Sequence, residues 1–372
     1  MFNRLKQLLT PSARQAPPDT TDHPSNILLN AYCTVADLPA LDFSHVLNGS
    51  RSLADKALAP HLNGFMHHVA DGGQGAMTRT RYHVIRHLQR VQQHVCVSVA
   101  PAQLEALQAW AQAANAILFT ESGSVLDPHG RLLLAPNPAE GAPAVDGDPA
   151  ATLPYPAPAW DRKAHTDQVL AARQITVPAD LPPVVSEPEL RLRAPEEILR
   201  RMLALFVVAI RAESLTGERP IAVDDLRKRF PPAFKGLTEL ERDFLAKDAP
   251  TEQEITQFLW RYEAILVLQW ALGLQDALPF PDAICDVAAI SSTVIERGTE
   301  GLRKQPVARA PSEVLDALDL TYRLHWATRQ ALLKKITVPA GLIDGVLQER
   351  HHALNWLVRF EDREWDEVDT PT

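Results

Sequence analysis

Cysteine is scarce in this sequence: three residues, Cys33, Cys96 and Cys285, in a chain of 372. An odd number of widely spaced thiols excludes a disulfide framework and the paired spacing of a zinc site, and it suits a reducing compartment. Long apolar runs are missing as well. The longest, Met202 to Ile210, falls far short of the ~20 residues that a membrane-spanning helix needs. Positive charge is in deficit, with a formal net charge of −9, so the electrostatic footprint of a nucleic-acid-binding protein is absent. No glycine loop of phosphate-binding type follows a strand; the run Gly72 to Gly75 reads as a turn. The first residues are basic and briefly amphipathic, without the apolar centre of a signal peptide. These absences lead us to expect a soluble cytoplasmic protein with no membrane partner, no nucleic acid, no cofactor and no metal.

Proline, by contrast, is plentiful, with 30 residues unevenly spread. Residues 136–160, PNPAEGAPAVDGDPAATLPYPAPAW, carry almost no apolar periodicity and read as a linker. A disordered or weakly helical N-terminus is expected over 1–25, an α+β domain over 26–135, and an all-α domain over 161–372. Within 26–135, NILLNAYCTV is strand-like and HVCVSV alternates as a half-buried strand through Val95, Val97 and Val99. PAQLEALQAWAQAAN opens on proline where a helix tolerates it. SVLDPHGRLLL reads as a hairpin about Asp127 to Gly130. A small sheet with two helices on one face fits this pattern.

Past residue 190 the spacing is helical over 196–214, 222–230, 238–246, 252–273, 282–299, 312–335 and 341–360, with no strand, as in a compact helical array. Six segments in this region, LRLRAPEEILRRMLAL, WRYEAILVLQWALGL, LPFPDAICDV, VLDALDLTYRLHWA, ERHHALNWL and the terminal WDEVDTPT, follow one another in order. Together they resemble the bacterial family called domain of unknown function 4272, over about residues 175–372. The family usually ends DT-D-T, whereas Pro371-Thr372 follow Asp369-Thr370 here. The resemblance implies a fold and no activity.

Helical phase locates the polar chemistry. At 100° per residue, Leu342, Val346, Ala353, Trp356, Leu357 and Phe360 share one arc with Arg350 near its middle and Glu349 at its end. His351, Asn355, Gln348, Arg359 and Asp344 fall on the opposite, polar face, with His352 at the boundary, so His351 is expected to face solvent. QFLWRYEAILVLQWALGL is apolar on nearly every side, which marks a central helix. It encloses Glu263, Arg261 and Gln269. In 312–335, His325 and Arg329 sit in the arc of Leu318, Tyr322, Trp326 and Leu333. Asp319 and Arg323 are spaced as a surface i,i+4 pair. A buried charge must be paired, so Glu263, Arg350, His325, Glu349 and Arg261 are expected to satisfy one another.

Other candidates carry blander readings. His83 and His87 lie four apart without a metalloprotease motif and read as surface or strand residues. His67-His68 and His351-His352 are adjacent and point apart. Asp366 and Asp369 read as a solvated acidic tail, Asn48-Gly49-Ser50 as a sequon without secretion, and Trp260, Trp270, Trp326 and Trp356 as core. The functional expectation is a non-enzymatic partner-binding or regulatory protein, meeting a protein partner through an acidic surface. The alternative is a small hydrolase- or transferase-like enzyme with an inter-helix pocket at Glu263, His325 and Arg350. Glu263 would then be the general base, with Arg350 or His325 binding an anion or carbonyl.

Overall fold

The computed structural model describes residues 26–72, 77–136, 147–304 and 308–372. The expected N-terminal segment 1–25, most of the glycine turn and residues 137–146 of the expected linker lie outside the described residues. The chain divides into two compact units. The first holds the described residues up to Ala157 together with Pro188–Leu190, and the second holds Pro158–Glu187 and Arg191–Thr372.

The first unit is α+β. Its strands are β1 (Ile27–Cys33), β2 (Val46–Ser52), β3 (Gln93–Val99), β4 (Ala116–Thr120), β5 (Val125–Leu126) and β6 (Leu132–Leu134). They form one sheet in the order β2-β3-β1-β4-β5-β6, antiparallel throughout. The expected hairpin is present. Asp127 Oδ1 accepts the backbone N–H groups of His129 and Arg131, both at 2.9 Å, and Gly130 takes φ +82°, a conformation glycine adopts without steric cost.

Three helices cover this sheet, and they do so on both faces. Helices α1 (Leu58–Asp71) and α2 (Arg79–Gln89) bury Phe65, Val84 and Leu88 against Tyr32, Ile117 and Phe119. Helix α3 (Leu104–Ala113) buries Leu107 and Trp110 against Leu29, Val95 and Val97. The expectation of two helices on a single face is corrected accordingly. β1 and β3 are buried on both sides, so His94 and Cys96, which alternate with the valines, are as enclosed as the valines are. A period of two separates the faces of a strand without saying what covers each one. His87 corrects the surface-or-strand reading in the same way: it is fully buried on α2, with Nε2 3.0 Å from the Tyr32 carbonyl oxygen.

The proline-rich stretch is not uniform either. Asp148 N–H donates to Leu132 O at 2.7 Å, Ala151 and Leu153 pack on the first unit's core, and Ala157 already opens a helix.

The second unit is helical: α4 (Ala157–Ala172), α5 (Pro195–Leu215), α6 (Val223–Arg229), α7 (Glu239–Ala246), α8 (Glu252–Leu259), α9 (Arg261–Ala271), α10 (Val287–Arg303), α11 (Pro311–Leu333) and α12 (Asp344–Leu357). Local chemistry sets their starts. Pro195 and Pro311 sit in the first turns of α5 and α11, where a missing N–H costs nothing. Thr238 and Thr251 cap α7 and α8 in reciprocal boxes with Glu241 and Glu254, satisfying otherwise orphaned donors. The expected single helix 252–273 is two, parted at Trp260, and α10 starts at Val287 because Asp286 caps it. Helix α9 lies at the centre, packed against α5 on one side and α12 on another, and all its residues from Tyr262 to Ala271 are buried.

Gly345, in the first turn of α12, lies against the Trp260 indole: a Cβ there would sit 2.9 Å from Cη2. Gly345→Ala gains about 1 kcal/mol of helix propensity but overpacks a rigid ring, which costs ~1–3 kcal/mol. The expected outcome is a net loss of stability in urea melts, largely restored when Trp260→Leu is added. A stabilised single variant would show that the ring can yield.

Candidate functional site

Glu263 enters the core in the first turn of α9, 2% exposed. Its Oε2 accepts a hydrogen bond from Arg350 Nε on α12 at 2.9 Å, and its Oε1 accepts the backbone N–H of Cys285 at 2.6 Å. Arg350 Nη1 donates to the carbonyl oxygen of Pro279. The pair therefore binds two helices to each other and also holds the stretch 272–286 between α9 and α10. That stretch has no regular structure for most of its length, and its buried peptide groups need partners from elsewhere. Arg350 Nη2 is buried without a partner. Burial, and then the Glu263 charge, push the Cys285 thiol well above its ordinary pKa, so it is a poor nucleophile.

The other three residues of the expected cluster are divided between two further contacts. Arg261 Nη1 meets both oxygens of Glu349, at 3.0 and 2.9 Å. Burial raises the Glu349 carboxyl although Arg261 opposes the shift. His325, on α11, faces His351 of α12 with the two Nδ1 atoms 3.0 Å apart and the rings perpendicular. Asp344 Oδ1 stands 4.0 Å from His325 Nε2, and Arg329 reaches Asp344 at 3.6 Å. Burial lowers His325 to about 4, although Asp344 opposes this. Burial, with the neighbouring histidines, holds His351 well below its ordinary value. Two neutral imidazoles share this bond, one Nδ1 donating and the other accepting. Of Glu263, His325 and Arg350, the structure joins the first and third and gives the second a different partner.

Three expectations about exposure are overturned here. His351 is 3% exposed and Asn355 equally buried, because the polar face of α12 turns toward α11 and the terminal segment. Asn355 Nδ2 donates to Asp369 O at 2.9 Å. Asp319 and Arg323 form the expected i,i+4 pair, at 2.8 and 2.9 Å, but are wholly buried. Arg323 Nη2 donates to Pro182 O, which belongs to an irregular segment distant in sequence. Arg329, placed in an apolar arc by phase, is exposed instead.

Sequence reasoning missed two further groupings. In the first unit, Arg51 Nη1 donates to His94 Nδ1 at 3.0 Å, which leaves His94 Nε2 to donate to Asn30 Oδ1, also at 3.0 Å. Tyr32 Oη lies 3.1 Å from His61 Nε2. Burial lowers His61 to about 4 and His94 to about 3. The register pairs that carry Arg51 opposite His94 depend on a strand, β2, that periodicity did not mark.

The second grouping is an open cleft of about 430 Å³ in the helical unit, lined among others by Arg200, Lys235, Trp356, Trp365, Asp366 and Glu367. Arg193 secures its tail side. It donates to the backbone oxygens of Trp356 and Arg363, pairs with Glu197 and lies over the Trp356 ring. Arg201 pairs with Glu241, which also caps α7, and lies over the Trp365 ring. Yet Arg201 Nε, Trp356 Nε1 and Trp365 Nε1 are buried without an acceptor among the described residues, and each such donor costs ~1–3 kcal/mol. The signal that could have found this cleft was in the segments themselves. LRLRAPEEILRRMLAL, ERHHALNWL and WDEVDTPT, three of those that carry the resemblance, each contribute to its lining.

Among the described residues, no three His, Cys, Asp or Glu side chains are placed to hold a metal ion, and no helix is long and apolar enough to cross a membrane. The three cysteines are buried and free.

Arg350→Met should destabilise the chain by ~3–5 kcal/mol, the range for breaking a buried ion pair from one side. Adding Glu263→Leu should recover part of that loss. Urea melts of the four proteins decide the matter, and losses that simply add would show that the two charges do not support each other.

The histidine pair adds a pH dependence whose sign follows from burial. His325 drops from 6.5 to about 4 on folding, so the unfolded chain takes up protons first as pH falls. The contribution is whole above pH 6.5 and is lost between 6.5 and 4. The urea midpoint should fall across that window, and fall less in a His325→Gln, His351→Gln double variant. An identical slope in both proteins would remove the pair from the linkage.

No curated protein and no solved structure matches the chain, and the region before residue 162 has no family match. Residues 162–368, more than half of the chain, match the family described as Domain of unknown function (DUF4272), and the chain belongs to that family.

Proposed function

We propose that this is a non-enzymatic binding protein of the cytoplasm, whose helical unit receives a ligand or partner in the cleft between α5 and the C-terminal tail. One observation carries the reading: Glu263 and Arg350 are paired with each other inside the core, whereas three charged residues of the cleft have no ion pair among the described residues. Both oxygens of Glu263 are engaged by N–H groups of the fold and the side chain is 2% exposed, so a substrate proton does not come within the hydrogen-bond reach that a general base needs. Arg200, Lys235 and Asp366 line the cleft with no ion pair to any described residue. The exposed acids Asp366 and Glu367 belong to an acidic surface of the kind that a basic partner recognises. The first unit is a tethered module in this reading, and its own partner is separate.

Native mass spectrometry of the full chain purified from the organism that makes it tests the proposal. Wild-type protein should carry an added mass or a bound chain that an Arg200→Glu, Lys235→Glu variant of equal stability has lost. Bare protein in both preparations, or a ligand retained by the variant, would sink the reading.

A further inference from the structure

A short piece of the first unit comes from far along the chain. Pro188, Glu189 and Leu190 belong to that unit, whereas the residues on either side, up to Glu187 and from Arg191, belong to the second. Polar contacts hold the piece. The carbonyl oxygen of Pro188 accepts the Ala36 N–H at 2.8 Å, and that of Glu189 accepts from Gln92 Nε2 at 2.6 Å. The Glu189 carboxylate, buried, pairs with Arg90 Nη1 and takes a longer bond, 3.4 Å, from Asn115 Nδ2. The unit supplies every one of these donors and the segment every one of the acceptors.

The donors sit where connections of the sheet meet: just past β1, between α2 and β3, and between α3 and β4. Their own frame positions them. Gln92 Nε2 also donates to Thr34 O at 2.9 Å, and Asn115 Nδ2 to Thr34 Oγ1 at 2.7 Å. The Arg90 guanidinium lies 4.3 Å over the Tyr155 ring. Gln92, Asn115 and Thr34 are buried. Donors fixed in this way are preorganised for whatever brings the acceptors. Apolar packing adds little to the hold, since Pro188 is exposed, Leu190 is half-buried, and neither joins the cores that keep the helices on the sheet. A grip on main-chain carbonyls, with one side chain read in a pocket, is how a domain receives a peptide.

Separate from the cleft of the helical unit, the geometry points to a peptide-recognition site in the first unit, selective for a glutamate in a short acidic segment and occupied here by residues 188–190 of the same chain. Its partner is a protein that carries such a segment and competes for the site. Tethering sets the balance: a segment joined to its receptor is present at an effective concentration on the order of millimolar. A weak acidic segment is therefore shut out, and a tighter one displaces the chain's own.

The test is the fluorescence anisotropy of a labelled peptide of residues 185–192 added to the full chain. Glu189→Arg sets a cation against Arg90 and empties the site, so that chain should bind the peptide at least tenfold more tightly than wild type does. The same peptide with Glu189→Gln should bind the emptied chain at least tenfold more weakly. Arg90→Glu together with Glu189→Arg restores an ion pair in reverse and should abolish binding. Equal binding by wild type and the Glu189→Arg chain, or none by either at millimolar peptide, would overturn the assignment. A Glu189→Arg chain that unfolds by circular dichroism would overturn it too, because the segment would then be part of the frame and not its ligand. Neither Arg90 nor Glu189 lines the cleft, so failure here leaves the native mass experiment and its reading where they stand.

Discussion

The helical unit depends on a charge pair that could not exist alone. Taking a guanidinium and a carboxylate out of water costs several kcal/mol per ion, and Arg350 and Glu263 are each only 2% exposed. Attraction between the two offsets that cost more fully the more of the remaining lone pairs and donors find partners as well. The partners here are peptide groups of residues 279 and 285. Helix α9, helix α12 and the irregular stretch between α9 and α10 are thereby tied into one arrangement. Apolar side chains of the same volume would fill the space, but they would leave those peptide groups unanswered and the helix register free to slip.

Other buried charges of the unit are likewise bonded to distant segments. Arg323 and Asp319 answer each other and the Pro182 carbonyl. Arg193 draws the end of α12 and the tail together through two backbone oxygens, and His325 and His351 answer each other as neutral rings. Buried polar groups here serve as ties between segments far apart in sequence. Unpartnered buried nitrogens remain at several of these ties, Arg323 Nη1 and Arg350 Nη2 among them, as they do at Arg201, Trp356 and Trp365. Partial satisfaction is costly inside a protein.

Much of the fold was legible in particular residues. Pro195 and Pro311 marked helix starts, the Asp127 to Gly130 run marked a hairpin, and the apolar continuity from Tyr262 to Ala271 marked a central helix. Arg350 was legible as a charge on an apolar face, and its partner Glu263 followed from the same argument applied to another helix. The faces called polar were less secure. Helical phase orders residues around an axis but does not say how many sides of that axis are covered. Helix α12 packs on both α9 and α11, so His351 and Asn355 are enclosed although they lie opposite the apolar arc. Residues around Pro182 hide Arg323 in a way that no local pattern could announce.

By itself the sequence determined the class of each unit, the places of most helices and the presence of charge inside the helical core. These are local properties, carried by the spacing of apolar side chains and the chemistry of a few capping residues. The tertiary structure alone decided which charges meet, since a pair such as Arg350 and Glu263 stands apart by 87 positions and no spacing rule spans that gap. It likewise decided that three distant segments converge on one cleft, where their charges face one another unpaired. Pairing energy falls steeply with distance, so it is a property of the folded arrangement and not of the order of residues along the chain.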